Sequence, residues 1–269
     1  MDSSPVVPYI VLPAVAMAVS GLTLFSGFGL GTLLMPVFAI FFPIEVAIAA
    51  TAVVHLANNL FKLGLLVRHA DWGVVARFAM PGALMAVVGA LILTSLSDLP
   101  VLATYAIGNR SFEVMTIKVV IGVLIAVFAL LELVPSLEAR IQFSRKYLIL
   151  GGGLSGFFGG LSGFQGALRS AVLIRCGLEK EVFIATGVVC AVVVDFFRLA
   201  TYGVTFFSRH FDMVVQAGGA GLVGTTTLAA FVGALVGARL MKKVKMVTVQ
   251  WIVGVMLVFL AIGLGAGLI

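Results

Sequence analysis

Residues 151–175 read GGGLSGFFGGLSGFQGALRSAVLIR. The stretch is as apolar as a membrane span, yet it is crowded with glycine and carries Ser155, Ser162, Gln165 and Arg169. Together with Lys146–Leu150 it reaches about thirty residues, where about twenty suffice to cross a bilayer. A weaker copy precedes it: Ser26-Gly27-Phe28 answers Ser162-Gly163-Phe164 at an offset of 136 (162 minus 26). Each copy reads as a hairpin of two half-helices whose Ser-Gly-Phe bend turns inside the membrane. The rest of the chain is organised around that pair.

Composition sets the class. Of 269 residues, 62% are hydrophobic and only 10% charged, and the mean hydropathy is +1.23. A soluble domain needs polar faces between its apolar stripes, and they are missing here, so the expectation is a polytopic membrane protein. Long continuous apolar runs favour helices over the alternating strands of an outer-membrane barrel. The first residues, MDSSPVVP, lack the basic region and small-residue cleavage site of a signal peptide. The net charge of +6 fits basic cytoplasmic loops better than a nucleic-acid partner. Cys176 and Cys190 read as small buried hydrophobes, not as a disulfide or a metal site.

Apolar segments fall at about 9–42, 44–68, 72–97, 114–134, 146–176, 181–205, 212–240 and 246–269. Residues 98–113 read as a loop. The linker at 135–146 divides the chain into a first repeat, 1–134, and a second, 147–269. In the same 136-residue register Glu45-Val46 meets Glu181-Val182, Ile48-Ala49 meets Ile184-Ala185, Asn59 meets Asp195, and Phe61-Lys62-Leu63 meets Phe197-Arg198-Leu199. Val88-Gly89-Ala90-Leu91 resembles Val232-Gly233-Ala234-Leu235 after an insertion. A gapless register through charged and polar positions indicates duplication.

Charge then sets topology. If every segment crossed once, basic loop residues would divide almost evenly between the two faces, against the positive-inside bias. If 146–176 enters and returns, only Arg110 and Arg209 fall on the non-cytoplasmic side. Each half then holds a re-entrant or broken hairpin plus three transmembrane helices. The second half is inverted relative to the first, and both termini lie outside the cytoplasm. Inverted repeats meeting through broken helices are a common secondary-transporter architecture.

Candidate site residues follow from that arrangement. Half-helices starting near Phe28 and Phe164 would aim unpaired N–H groups and positive dipole ends at one space suited to an oxyanion. Ser26, Gly27, Phe28, Ser162, Gly163, Phe164, Gln165 and Arg169 form the candidate substrate-binding set. The competing reading is close helix packing through Gly152, Gly156 and Gly160.

On the segment 44–68, Thr51, His55, Asn58, Asn59 and Lys62 form one polar stripe, with Lys62 able to snorkel. In the following half, Asp195 and Arg198 lie at i and i+3. His55, Asn58, Asn59, Asp195 and Arg198 are the candidate proton-coupling or pathway residues. The alternatives are a neutral, bonded His55 and an Asp195 paired with Arg198 or Arg169.

Gly160-Leu161-Ser162-Gly163 has the GxSG form of rhomboid proteases, but His210 is the only later histidine and the serine recurs as Ser26. No other enzyme motif, cofactor motif or metal-ligand spacing is present.

Gly-Phe-Gly-Leu-Gly-Thr-Leu-Leu-Met-Pro at 27–36, Gly-Leu-Ser-Gly-Phe-Gln-Gly-Ala at 160–167 and the Glu-Val-X-Ile-Ala helix starts at Glu45 and Glu181 resemble the TauE/SafE sulfite exporter family, also called toluene sulfonate uptake permeases. Gln165 and Arg169 depart from the more uniformly small residues of that pattern. The resemblance implies a secondary transporter of sulfite, sulfoacetate or another organosulfonate in the bacterial inner membrane. Its partners would be a small anionic substrate, the lipid bilayer, protons or another coupling ion and, as an open option, a second copy of the chain. A passive anion or small-solute channel and a non-transporting scaffold are the alternatives.

Overall fold

A bilayer core offers the backbone no water, so a spanning chain satisfies its own amides by forming helices. The computed structural model describes residues 6–26, 30–108, 110–134, 145–207, 219–240 and 246–268. Among these, the order is α1 (Val6–Ser26), α2 (Leu30–Phe41), α3 (Ile44–Leu66), α4 (Trp72–Ser97), β1 (Val101–Ile107), β2 (Arg110–Met115), α5 (Thr116–Leu133), α6 (Leu148–Ser162), α7 (Gly166–Leu173), α8 (Lys180–Tyr202), α9 (Gly219–Leu240) and α10 (Met246–Gly265). Segments of α3, α4 and α8 are long and apolar enough to cross a membrane, and several shorter helices are equally apolar. The fold is that of a polytopic helical membrane protein. The first bend, with Gly27 and Phe28, lies outside the described residues, as do 135–144 of the linker.

The stretch 98–113, read above as a loop, instead folds largely into an antiparallel hairpin. Gly108 supplies the left-handed backbone of its turn, at φ 59°. Tyr105 stacks on Phe112 across the strands at 5.4 Å. The Tyr105 hydroxyl also donates to the Ala266 carbonyl at 2.6 Å, pinning the hairpin to the end of α10.

Local chemistry fixes two boundaries that matter for the site. Asp71 caps α4 by accepting from the Val74 amide at 3.0 Å. Gly163, at φ 82°, stops α6 in the left-handed conformation. After that stop the chain doubles back, because Gly151 packs on Val172 and Gly159 on Gln165. With 15 residues α6 is about 22 Å long and α7, with 8, about 12 Å, both short of a bilayer's roughly 30 Å core.

Glycine lets the helix backbones touch. A methyl group added at Gly152, Gly156 or Gly160 would sit 2.1, 1.9 and 2.1 Å from the carbonyl oxygens of Phe78, Gly82 and Ala86. Matching steps of four on both helices make α4 and α6 parallel neighbours in direct backbone contact. Gly233 of α9 likewise abuts the Met17 carbonyl of α1. Two other pairs are antiparallel. Gly122 of α5 packs on Ala261 of α10, and Gly254 of α10 packs on Leu133 of α5, so the two helices run in opposite senses. The Asp71 amide donates to Thr186 at one end of the α3–α8 contact, while His55 meets Asp195 further along.

Gly156→Ala forces α4 and α6 apart, and overpacking of this kind costs about 1–3 kcal/mol. The purified variant is expected to melt below the parent, whereas Gly64→Ala, with no atom within 4 Å of the added methyl, does not.

Candidate functional site

The polar stripe of α3 faces protein along its length: Thr51, His55, Asn58, Asn59 and Lys62 are all buried. Lys62 does not snorkel. It is 6% exposed, turned inward with its neighbours. Opposite the stripe stands α8, whose Asp195 and Arg198 share a face because they are three residues apart. Both are fully buried.

Asp195 is the hub. Its Oδ2 lies 2.5 Å from His55 Nδ1. Its Oδ1 accepts from Gln165 Nε2 at 2.7 Å and from Arg198 Nε at 2.9 Å, with Arg198 Nη2 2.7 Å away. Arg198 Nη1 donates onward to the Gly159 carbonyl at 2.9 Å, and the Tyr202 hydroxyl to that of Gly160. Both carbonyls belong to the last turn of α6, where that of Gly159 also accepts from the Gly163 amide at 3.0 Å. One carboxylate therefore ties α3 and α8 to each other and to the Gly163 bend. Asn59 Nδ2 lies 3.2 Å from His55 Nδ1, and Ser20 of α1 donates to Asn58 Oδ1 at 3.0 Å.

The second bend contributes unevenly. Ser162 donates its hydroxyl to Phe158 within its own helix, at 3.0 Å, and Phe164 turns away to stack on Phe128 at 5.3 Å. Ser155 holds the Gln165 carbonyl at 2.9 Å, so the backbone of the bend is braced as well as its side chain. Arg169, one turn beyond Gln165, is 8% exposed and its Nη1 has no hydrogen-bond partner. Gln165 Oε1, Thr51 Oγ1 and Asn58 Nδ2 are likewise buried and unpartnered. From the first half, Gly31 in the opening turn of α2 abuts Gly163: a methyl group there would lie 3.4 Å from the Gly163 carbonyl and 3.9 Å from His55. Ser26 closes α1, and Gly27 and Phe28 lie outside the described residues.

Charge does not balance inside this cluster. Arg169, Arg198 and Lys62 are cations, and Asp195 is the one buried carboxylate that the described residues set among them. The described ion pairs are His55–Asp195 and Arg198–Asp195, which leaves Arg169 and Lys62 without one. A buried cation with no counter-ion is costly, so the site is suited to an incoming anion. Two contributors escaped sequence reasoning. Tyr202 lies one turn past Arg198, so i+4 spacing was its available signal; Ser20 had none.

Helical spans around a buried, cation-rich polar cluster define a multi-pass membrane protein. The family model described as Sulfite exporter TauE/SafE matches residues 12–264, nearly the whole chain, and the chain belongs to that family. No curated protein and no solved structure matches it.

Removing the hub leaves Arg198 as an uncompensated buried charge, which costs about 3–5 kcal/mol. Asp195→Asn is therefore expected to lower the melting temperature sharply. Adding Arg198→Gln should recover part of the loss, measured as a double-mutant cycle.

Proposed function

We propose that the chain is a secondary transporter of a small sulfur-containing oxyanion, sulfite or an organosulfonate, across the bacterial inner membrane. The observation that carries this reading is the surplus of buried positive charge beside the Gly163 bend, with Arg169 Nη1 unpartnered. The anion sits between Arg169, Gln165 and the first amides of α7 and α2, where the backbone donors are free of intrahelical partners. The sequence repeat assigns Ser26, Gly27 and Phe28 to the same substrate-binding set, and Ser162, Gly163 and Phe164 contribute backbone from the second half.

Alternating access comes from rocking two inverted repeats, 1–134 and 147–269, joined by a cytoplasmic linker at 135–146. Support for inversion lies in the pairing of corresponding helices. In the 136-residue register α3 corresponds to α8 and, in order along the halves, α5 to α10; both pairs pack antiparallel. Exchanging the halves also converts the α4–α6 contact into the α9–α1 contact. Both termini then face away from the cytoplasm.

The coupling ion is a proton carried on the His55–Asp195 pair. Around it stand Arg198, Gln165, Asn59, Arg169 and Lys62. Binding of an anion beside Arg169 lowers the local positive potential and favours proton uptake at His55, so anion and proton move together.

The decisive test is thermal unfolding of the purified protein with sulfite, an alkylsulfonate or acetate. Ligand at a hundredfold excess over Kd adds about 2.7 kcal/mol of stability. A saturable rise with sulfite or the sulfonate, lost in Arg169→Gln, is expected; no rise with any sulfur anion rejects the reading. For coupling, His55→Gln is expected to flatten the dependence of sulfite flux on pH between about 5 and 8. An unshifted profile removes the proton from His55.

A further inference from the structure

The buried cluster is sealed by apolar packing towards one end of the molecule and approached by a cavity from the other. At the starts of α4 and α6, Val74, Phe78, Leu148, Val172 and Val189 pack into a dry plug. At the opposite end, beside the β1–β2 hairpin, lies a cavity of about 570 Å³ walled by Phe42, Glu45, Ser97, Asp98, Met115 and Lys118. A second space, about 10 Å³ and so roughly one water-sized sphere, continues inward from it. Glu45 and Ser97 belong to both walls, so the two spaces are neighbours, and Tyr202 with Ala49, Leu93 and Thr94 lines the inner one.

Tyr202 is 1% exposed and has two commitments. Its hydroxyl donates to the Gly160 carbonyl in the last turn of α6, and it adjoins the Arg198 guanidinium that holds Asp195. The inner space therefore ends on a ring whose far side touches the charge cluster. Rotating that ring away from Gly160 would join the cavity to the cluster, while the apolar plug keeps the other end shut.

We propose that the cavity between α2, α3, α4, α5 and α10 is the aqueous vestibule of the anion's route, and that Tyr202 is the gate between it and the buried cluster. This rests on the transport reading and adds to it a side of entry and a named gate. The Tyr202–Gly160 hydrogen bond is the latch. Because Gly160 also sits against Ala86, the latch is anchored in the α4–α6 contact and moves only with it.

The test uses the full chain with Cys176→Ala and Cys190→Ala, reconstituted in liposomes and treated with an anionic, membrane-impermeant methanethiosulfonate. Ser97→Cys in the vestibule is expected to react readily and, once modified, to lose sulfite flux. Thr51→Cys, in the buried cluster on the far side of Tyr202, should react more slowly. Adding Tyr202→Phe, which keeps the ring and removes the latch, should speed that reaction about fivefold to tenfold, the factor expected from one hydrogen bond. Modification of Ser97→Cys with undiminished flux would overturn the vestibule. A Thr51→Cys rate indifferent to Tyr202→Phe would overturn the gate. The sulfite-dependent melting shift is read on the same variants, so a retained shift with negative labelling rejects this route alone, and an absent shift in the parent rejects the anion site.

Discussion

Everything at the centre of this protein depends on one carboxylate held out of water. Asp195 is fully buried among His55, Gln165 and Arg198, each within 2.9 Å of a carboxylate oxygen. An isolated ionised carboxylate in such a place would cost several kcal/mol, and the Arg198 guanidinium, the His55 ring and the Gln165 amide together offset it. Those donors come from three separate parts of the fold: α3, the bend before α7, and α8 itself. The carboxylate thus converts an electrostatic requirement into a structural one. Neither α3 nor the bend can shift without taking a hydrogen-bond donor from a buried carboxylate.

Close packing protects that arrangement. Backbone contact between α4 and α6, permitted by Gly152, Gly156 and Gly160, brings the end of α6 near enough for Arg198 and Tyr202 to reach its carbonyls. The same glycines that look like spacing devices therefore position the acceptors for the polar network. Packing and polar chemistry are two uses of one helix face. Arg169, whose Nη1 has no hydrogen-bond partner, lies just outside the Asp195 network, so the cluster has both a fixed part and a part with capacity left for a ligand.

How much of this was legible in the sequence depends on the range of the interaction. Mean hydropathy and long apolar runs gave the membrane class, because the bilayer imposes its constraint on every residue. The i, i+4 spacing of Thr51, His55 and Asn59 is local, so the polar face of α3 could be read directly. The partners of that face could not. His55 and Asp195 are 140 residues apart, and their meeting depends on the rotation of two helices that hydropathy does not encode. Strands β1 and β2 escaped for a different reason. Their residues are mostly exposed, so the alternation that marks a half-buried strand is weak there. Ser162 shows the limit of motif reading: a hydroxyl beside a bend looks aimed at a ligand, yet its own helix offers the Phe158 carbonyl at 3.0 Å.

The central claim is that surplus buried positive charge makes this cluster a site for one small sulfur oxyanion. Equilibrium binding of radiolabelled sulfite to the purified protein, at moderate salt and with excess chloride as competitor, tests it most directly. The account predicts saturable binding of one sulfite per chain, abolished in Arg169→Gln while that variant remains folded. Sulfite binding of equal stoichiometry and affinity in Arg169→Gln would contradict it.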